Sequence, residues 1–270
     1  MQRYIIGGTA MAATSLFSLW KNRDHLLFHP SKDILQTPRD VNIPYEEVNI
    51  STDKYVINGW FMGSNRKKVI IFSHGNGGNI SYRVHFIQFW EEYLRDTYSL
   101  FMYDYPGYGI STFKRDNKQQ FPSVDSCKKS LVIVMKHFSK MFDTKDMVLY
   151  GESIGAAITA VTASELIDDF DSVILQSTFT SILDMAHHMS SWTFLATPFL
   201  PEELDVLDAC KILKKRRIPL FIMHSRIDEI IPYSMFEKLK KHADAHLTIE
   251  GGHNDTVLDA RVSRFIIEKR

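Results

Sequence analysis

The sequence predicts an α/β fold: a mostly parallel central sheet of about eight strands, helices on both faces, and a small lid insertion. Three observations lead there. Apolar runs are short and continuous, as in residues 68–73 (KVIIFS) and 172–176 (SVILQ), which is how strands buried on both faces read. Segments with helical apolar spacing separate these runs. No Pro/Gly linker divides the alternation, so one domain is the economical reading.

Residues 47–50 and 54–62, separated by Ser51-Thr52-Asp53, read as a hairpin. The run 68–73 ends at a glycine-rich turn, and 81–97 then has helical spacing. Residues 98–103 (YSLFMY) form the next strand and end at Asp104-Tyr105-Pro106-Gly107. A long amphipathic helix is expected over 122–142. Residues 147–150 (MVLY) are a strand followed at once by Gly151-Glu152-Ser153-Ile154-Gly155 and a helix of small residues. Strands follow at 172–176, 219–223 and 245–249, with helices at 234–242 and 258–269. Residues 178–217 interrupt this alternation. An insertion there, above the C-terminal edge of a parallel sheet, is expected to form a lid, with Trp192 and Phe194 as its substrate-binding side chains. The basic run Lys214-Lys215-Arg216-Arg217 reads as a solvated helix end.

The expected organisation is a hydrophobic N-terminal segment, residues 1–25, and an α/β domain, residues 40–270, with its insertion at 178–217. The 17 residues from Tyr4 to Trp20 carry no formal charge. As a helix they would span about 25 Å, slightly less than a hydrocarbon core of about 30 Å. A membrane anchor, a signal sequence and a helix lying on the domain or the membrane surface all remain open. Lys+Arg and Asp+Glu number 32 each, for a net charge of 0, which argues against a nucleic-acid binder. The two cysteines, Cys127 and Cys210, have neither disulfide-framework nor zinc spacing and suit a reducing compartment.

The chemistry is concentrated in turns that follow strands. Gly151-Glu152-Ser153-Ile154-Gly155 has the G-x-S-x-G form, in which a sharp strand-to-helix turn exposes a serine hydroxyl. His74-Gly75-Asn76-Gly77-Gly78 can aim backbone N–H groups at an oxyanion, and the N–H groups of Asn76 and Ile154 are the expected donors. His74 and Asp104 are read as structural. Asp228 follows the strand ending near Met223, and His253 follows the last strand. Ser153, Asp228 and His253 thus stand in the order Ser, Asp, His, each after a strand, with Glu229 as the alternative acid. Neither a Walker nor a Rossmann motif is present, and His187-His188 lacks metal-ligand spacing, so no cofactor or metal is expected.

With these motifs the sequence resembles the α/β-hydrolase superfamily, and within it the ABHD-type and Bem-type membrane-associated serine hydrolases. The resemblance also includes Leu27-Phe28-His29-Pro30, the run Asp104-Tyr105-Pro106-Gly107-Tyr108-Gly109-Ile110-Ser111, and His224 with Asp228 and Pro232. It implies Ser153 as nucleophile, His253 as base, Asp228 as acid, and Asn76 and Ile154 in the oxyanion hole. Ser at the turn disfavours dehalogenase or epoxide hydrolase chemistry, whose relatives carry Asp there. Ser225 stands where relatives have Gly, and the N-terminus lacks the cysteine cluster of the depalmitoylases. The expected reaction is hydrolysis of a lipid-like carboxylic ester. A thioesterase, a peptidase and a non-catalytic binding protein are the alternatives. Expected partners are a small-molecule ester and a membrane, met through Tyr4 to Trp20, with the catalytic domain on the cytosolic side and no nucleic acid.

Overall fold

The computed structural model describes residues 23–63, 67–189 and 204–269. Its strands are β1 (His29–Pro30), β2 (Glu46–Ser51), β3 (Tyr55–Met62), β4 (Val69–Ser73), β5 (Gly77–Gly78), β6 (Ser99–Tyr103), β7 (Thr112–Phe113), β8 (Met147–Glu152), β9 (Ser172–Gln176), β10 (Leu220–Ser225) and β11 (Ala245–Ile249). The main sheet runs β11-β10-β9-β8-β4-β6-β3-β2, with β7 paired to β3. Strands β6, β4, β8, β9, β10 and β11 are mutually parallel, while β2 and β3 enter antiparallel as the expected hairpin. This is the α/β-hydrolase fold with a mostly parallel sheet.

Alternate residues of each central strand feed two apolar layers, because successive side chains point to opposite faces. In β4, Val69 and Ile71 join the layer covered by α3 (Val124–Phe138), α4 (Ile154–Glu165), α6 (Val206–Arg216) and α7 (Tyr233–Leu239). Ile70 and Phe72 join the layer under α2 (Val84–Tyr93) and α8 (Ala260–Glu268). Two further helices are α1 (Arg23–Leu27) and α5 (Ile182–Met189). Within the interrupting stretch, α6 buries Val206, Ala209, Cys210 and Leu213 against the sheet layer.

Local chemistry trims the expected helices. The helix expected from residue 122 begins at Val124, because Ser123 is an extended N-cap that exchanges hydrogen bonds with Ser126 (3.2 and 2.9 Å). Two-residue strands have no period to read, so the β1–β5 pairing, His29 against Gly77 and Pro30 against Gly78, was not expected. Of the basic run, Lys214, Lys215 and Arg217 are exposed at a helix end as expected, but Arg216 is not. Its guanidinium donates to the carbonyls of Ala163, Ser164, Leu166 and Asp168, closing the C-terminus of α4.

Because β4, β6, β8, β10 and β11 are parallel, the turns that follow them open on one edge of the sheet. That shared edge is where the motif residues meet.

Candidate active site

Ser153 joins β8 to α4 with φ 56° and ψ −122°. A left-handed angle at a non-glycine costs about 1–3 kcal/mol and persists only where the surroundings over-determine it. Here the Ser153 N–H donates to the Gln176 carbonyl (2.9 Å), and the Ser153 carbonyl accepts from the Ala156 N–H (3.0 Å). On either side, Gly151 and Gly155 lie where a Cβ would overlap backbone atoms.

The loop after β11 brings His253 over this serine. His253 Nε2 lies 3.0 Å from Ser153 Oγ, and Nδ1 lies 2.8 Å from Asp228 Oδ2. A carboxylate oxygen only accepts, so Nδ1 carries the proton and Nε2 is left to accept from the serine hydroxyl. Asp228 Oδ1 accepts from the N–H groups of Ile230 (2.9 Å) and Ile231 (2.7 Å). The Asp228 side chain is fully buried and that of His253 is 8% exposed. Burial alone would raise the Asp228 carboxyl, but the bonds from His253, Ile231 and Ile230 outweigh it and hold the group below its ordinary range. Glu229, the alternative acid, instead accepts the backbone N–H of His253 at 2.9 Å. Ser225 ties β10 to the His253 loop: its hydroxyl donates to the Gly251 carbonyl and accepts the Ile227 N–H at 3.2 Å.

The loop after β4 lies beside the serine, and a Cβ built on Gly75 would be 3.5 Å from Ser153 Cβ. Four of its five carbonyls are held by groups from outside the loop. That of Asn76 accepts from the His29 N–H (3.1 Å) and the Tyr108 hydroxyl (2.7 Å). That of His74 accepts from the Tyr105 hydroxyl (3.2 Å), and that of Gly78 from the Ser31 N–H (3.1 Å). Arg83 donates to the Gly77 and Asn79 carbonyls (2.6 and 3.0 Å) and stands 3.4 Å from Glu152, the residue before Ser153. Ile154 is the first residue of α4, where a backbone N–H has no partner within the helix.

Sequence reading did not assign roles to His29, Arg83, Tyr105 or Tyr108. The Leu27–Pro30 and Asp104–Ser111 motifs marked three of these positions, but nothing in their spacing tells that they hold the 74–78 loop. Trp192 and Phe194 lie outside the described residues, as do Tyr4 to Trp20. Among the described residues no helix is long and apolar enough to cross a membrane.

Residues 64–205 match the family described as serine aminopeptidase, S33. The chain belongs to this family of α/β hydrolases. Among its relatives is the α/β hydrolase domain-containing protein WAV2 of Arabidopsis thaliana, 31% identical over 194 residues, which are 68% of this chain and 59% of that protein. The membrane protein YNL320W of Saccharomyces cerevisiae is 26% identical over 100% of this chain and 98% of its own length. Among solved structures, the esterase Pf2001 of Pyrococcus furiosus superposes with a TM-score of 0.63 at 20% identity, covering 90% of this chain and 92% of that one. The hydrolase family and the esterase-like fold thus agree with each other.

Proposed function

We propose that this α/β hydrolase is a serine hydrolase that cleaves carboxylic esters through an acyl-enzyme on Ser153. The observation that carries the reading is the single imidazole of His253 between Ser153 Oγ and Asp228 Oδ2, at 3.0 and 2.8 Å. In the first step His253 Nε2 takes the hydroxyl proton as Ser153 Oγ attacks the ester carbonyl carbon. Asp228 keeps Nδ1 protonated and stabilises the imidazolium. The N–H groups of Asn76 and Ile154 receive the oxyanion. The imidazolium then protonates the departing alkoxide, leaving the acyl group on Ser153. In the second step His253 activates a water, which releases the acid and restores the hydroxyl.

The proposed substrate has a lipid-like acyl chain, met at a membrane. Three features support this: the uncharged stretch from Tyr4 to Trp20, the aromatic side chains Trp192 and Phe194 in the proposed cap, and the full-length similarity to a membrane protein. Two free buried cysteines, Cys127 and Cys210, support a cytosolic catalytic domain.

The test is labelling of the full-length protein with a fluorophosphonate probe, beside Ser153→Ala. Labelling of the wild type alone is expected. Turnover of p-nitrophenyl esters of increasing length, acyl thioesters and aminoacyl anilides then sets the substrate class. Preference for long esters supports the reading, and anilide turnover above ester turnover would replace it with a peptidase.

A further inference from the structure

The peptide group between Gly75 and Asn76 carries the N–H proposed above as an oxyanion donor. A trans peptide is planar, so its C=O and N–H point in opposite directions. His74 Nδ1 lies 2.7 Å from the Gly75 carbonyl oxygen. With its C=O turned to the His74 ring, this peptide aims the Asn76 N–H away from it. The orientation of one buried imidazole therefore sets the direction of the donor.

What holds that imidazole is a second question of protons. The Gly75 carbonyl only accepts, so Nδ1 carries a hydrogen. Nε2 is buried and has no hydrogen-bond partner, and Asp104 Oδ1 stands 3.4 Å from it. The two side chains are 0% and 1% exposed. Asp104 Oδ1 also accepts the Ile80 N–H at 2.9 Å. A bare Nε2 facing an ionised carboxylate would oppose two lone pairs with no water between them, an expensive arrangement in a buried place. A single proton between the two removes the conflict.

We propose that Asp104 and His74 share one proton and act as a positioning pair that aims the Asn76 N–H at the oxyanion. The proposal rests on the serine hydrolase reading above. Neither residue touches the reacting atoms. They act on the donor as Asp228 acts on His253, by fixing a tautomer and a ring direction. Burial pushes the Asp104 carboxyl up to about 7, and burial drives the His74 imidazole well below its ordinary value, so below about pH 7 the proton rests on the carboxyl. Lys32, whose ammonium donates to the Ser111 carbonyl at 3.1 Å, and Arg83 both face Asp104 and favour its ionised form. The rings of Tyr105 and Tyr108 pack on His74 with centroids 4.4 and 4.9 Å away, and their hydroxyls are spent on the loop carbonyls. When Asp104 ionises, the lone pairs oppose each other, the ring shifts, and the donor loses its aim.

The experiment is steady-state hydrolysis of p-nitrophenyl acetate by the full-length protein across pH 5 to 10. Asp104→Ala should lower kcat about 10- to 100-fold with KM nearly unchanged, part of the loss expected on removing one oxyanion donor. Asp104→Asn can donate to Nε2 after a small rotation. It should keep kcat within about 5-fold and lose the alkaline fall expected of the wild type. Asp104→Asn as impaired as Asp104→Ala, or with the wild-type pH profile, would overturn the proposal. A second measurement needs no turnover. In Ser153→Ala, the imidazole nitrogen shifts of His74 and the carboxyl carbon shift of Asp104 should show a neutral Nδ1–H tautomer beside a protonated acid at pH 6. An ionised Asp104 beside a neutral His74 there overturns the shared proton. A wild type that neither hydrolyses esters nor takes the fluorophosphonate would sink the serine hydrolase reading instead, and the resonance measurement would still decide the pair.

Discussion

A Cβ placed on Gly155 would stand 2.3 Å from the carbonyl oxygen of Ser73 and 2.4 Å from that of His74. The first turn of α4 is thus in backbone contact with the end of β4. Real Cβ atoms do not approach carbonyl oxygens so closely, and neither backbone can yield without moving Ser153 or the 74–78 loop. Gly155→Ala should cost about 1–3 kcal/mol or more by overpacking, and abolish ester hydrolysis. Chemical denaturation beside an activity assay checks both. A variant as stable and active as the wild type would refute the close approach.

If Ser153, Asp228 and His253 act as one unit, Ser153→Ala and His253→Ala should each lower turnover by roughly 10⁴–10⁶-fold, with Asp228→Ala somewhat milder. Combining two of these substitutions should add little to the loss from one. Ser153→Ala retaining more than about a tenth of wild-type turnover is incompatible with the assignment.

Asp171, ahead of β9, lies between Lys68 at 2.6 Å and the Lys269 ammonium, and its side chain is 7% exposed. Burial would raise its carboxyl, but the two lysines outweigh that and lower it. A lowered carboxyl contributes stability above its unfolded value, about 3.9, and loses that contribution as pH falls through the folded value. Asp171→Asn should therefore be less stable at pH 7 by about 1–2 kcal/mol, the partly wetted lysines limiting the effect. The gap should close as pH is lowered below about 4. Thermal unfolding of both proteins across that range measures it, and a gap that widens on acidification contradicts the argument.

Removal of residues 1–22 should move the protein from the membrane pellet to the soluble fraction with its esterase activity intact. Full-length protein found soluble without detergent would remove the anchor from the proposal. Of the three N-x-S/T patterns, at Asn49, Asn79 and Asn254, the second cannot carry a glycan in the folded chain. The Asn79 side chain is buried and donates to the carbonyls of Ser31 and Asp33, at 3.1 and 2.8 Å. Asn49 and Asn254 are exposed, so they test the side of the membrane. An endoglycosidase should leave the mass of the native protein unchanged, and a shift would place the domain on the opposite side.

Much of this molecule is legible along the chain. Central strands carry continuous apolar runs such as 69–72 and 173–175 because both faces of the sheet are covered, and that pattern survives without knowledge of their neighbours. The glycines around Ser153 announce a turn too tight for side chains, and the order of Ser153, Asp228 and His253 after three strands marks one edge of a parallel sheet. Helix ends were less legible: the helix expected over 122–142 runs from Val124 to Phe138, and its Ser123 cap was found only in the structure. Other relations exist only in three dimensions. His29 and Tyr108 hold the Asn76 carbonyl from positions 47 and 32 residues away in the chain, through a two-residue strand and a single hydroxyl. Arg216 closes α4 from the end of α6, and Asp104 meets His74 across two turns that follow neighbouring parallel strands. Hydrophobic periodicity records which face a residue buries. It carries no record of which distant backbone group a polar side chain will find, because that depends on where the sheet has already placed both.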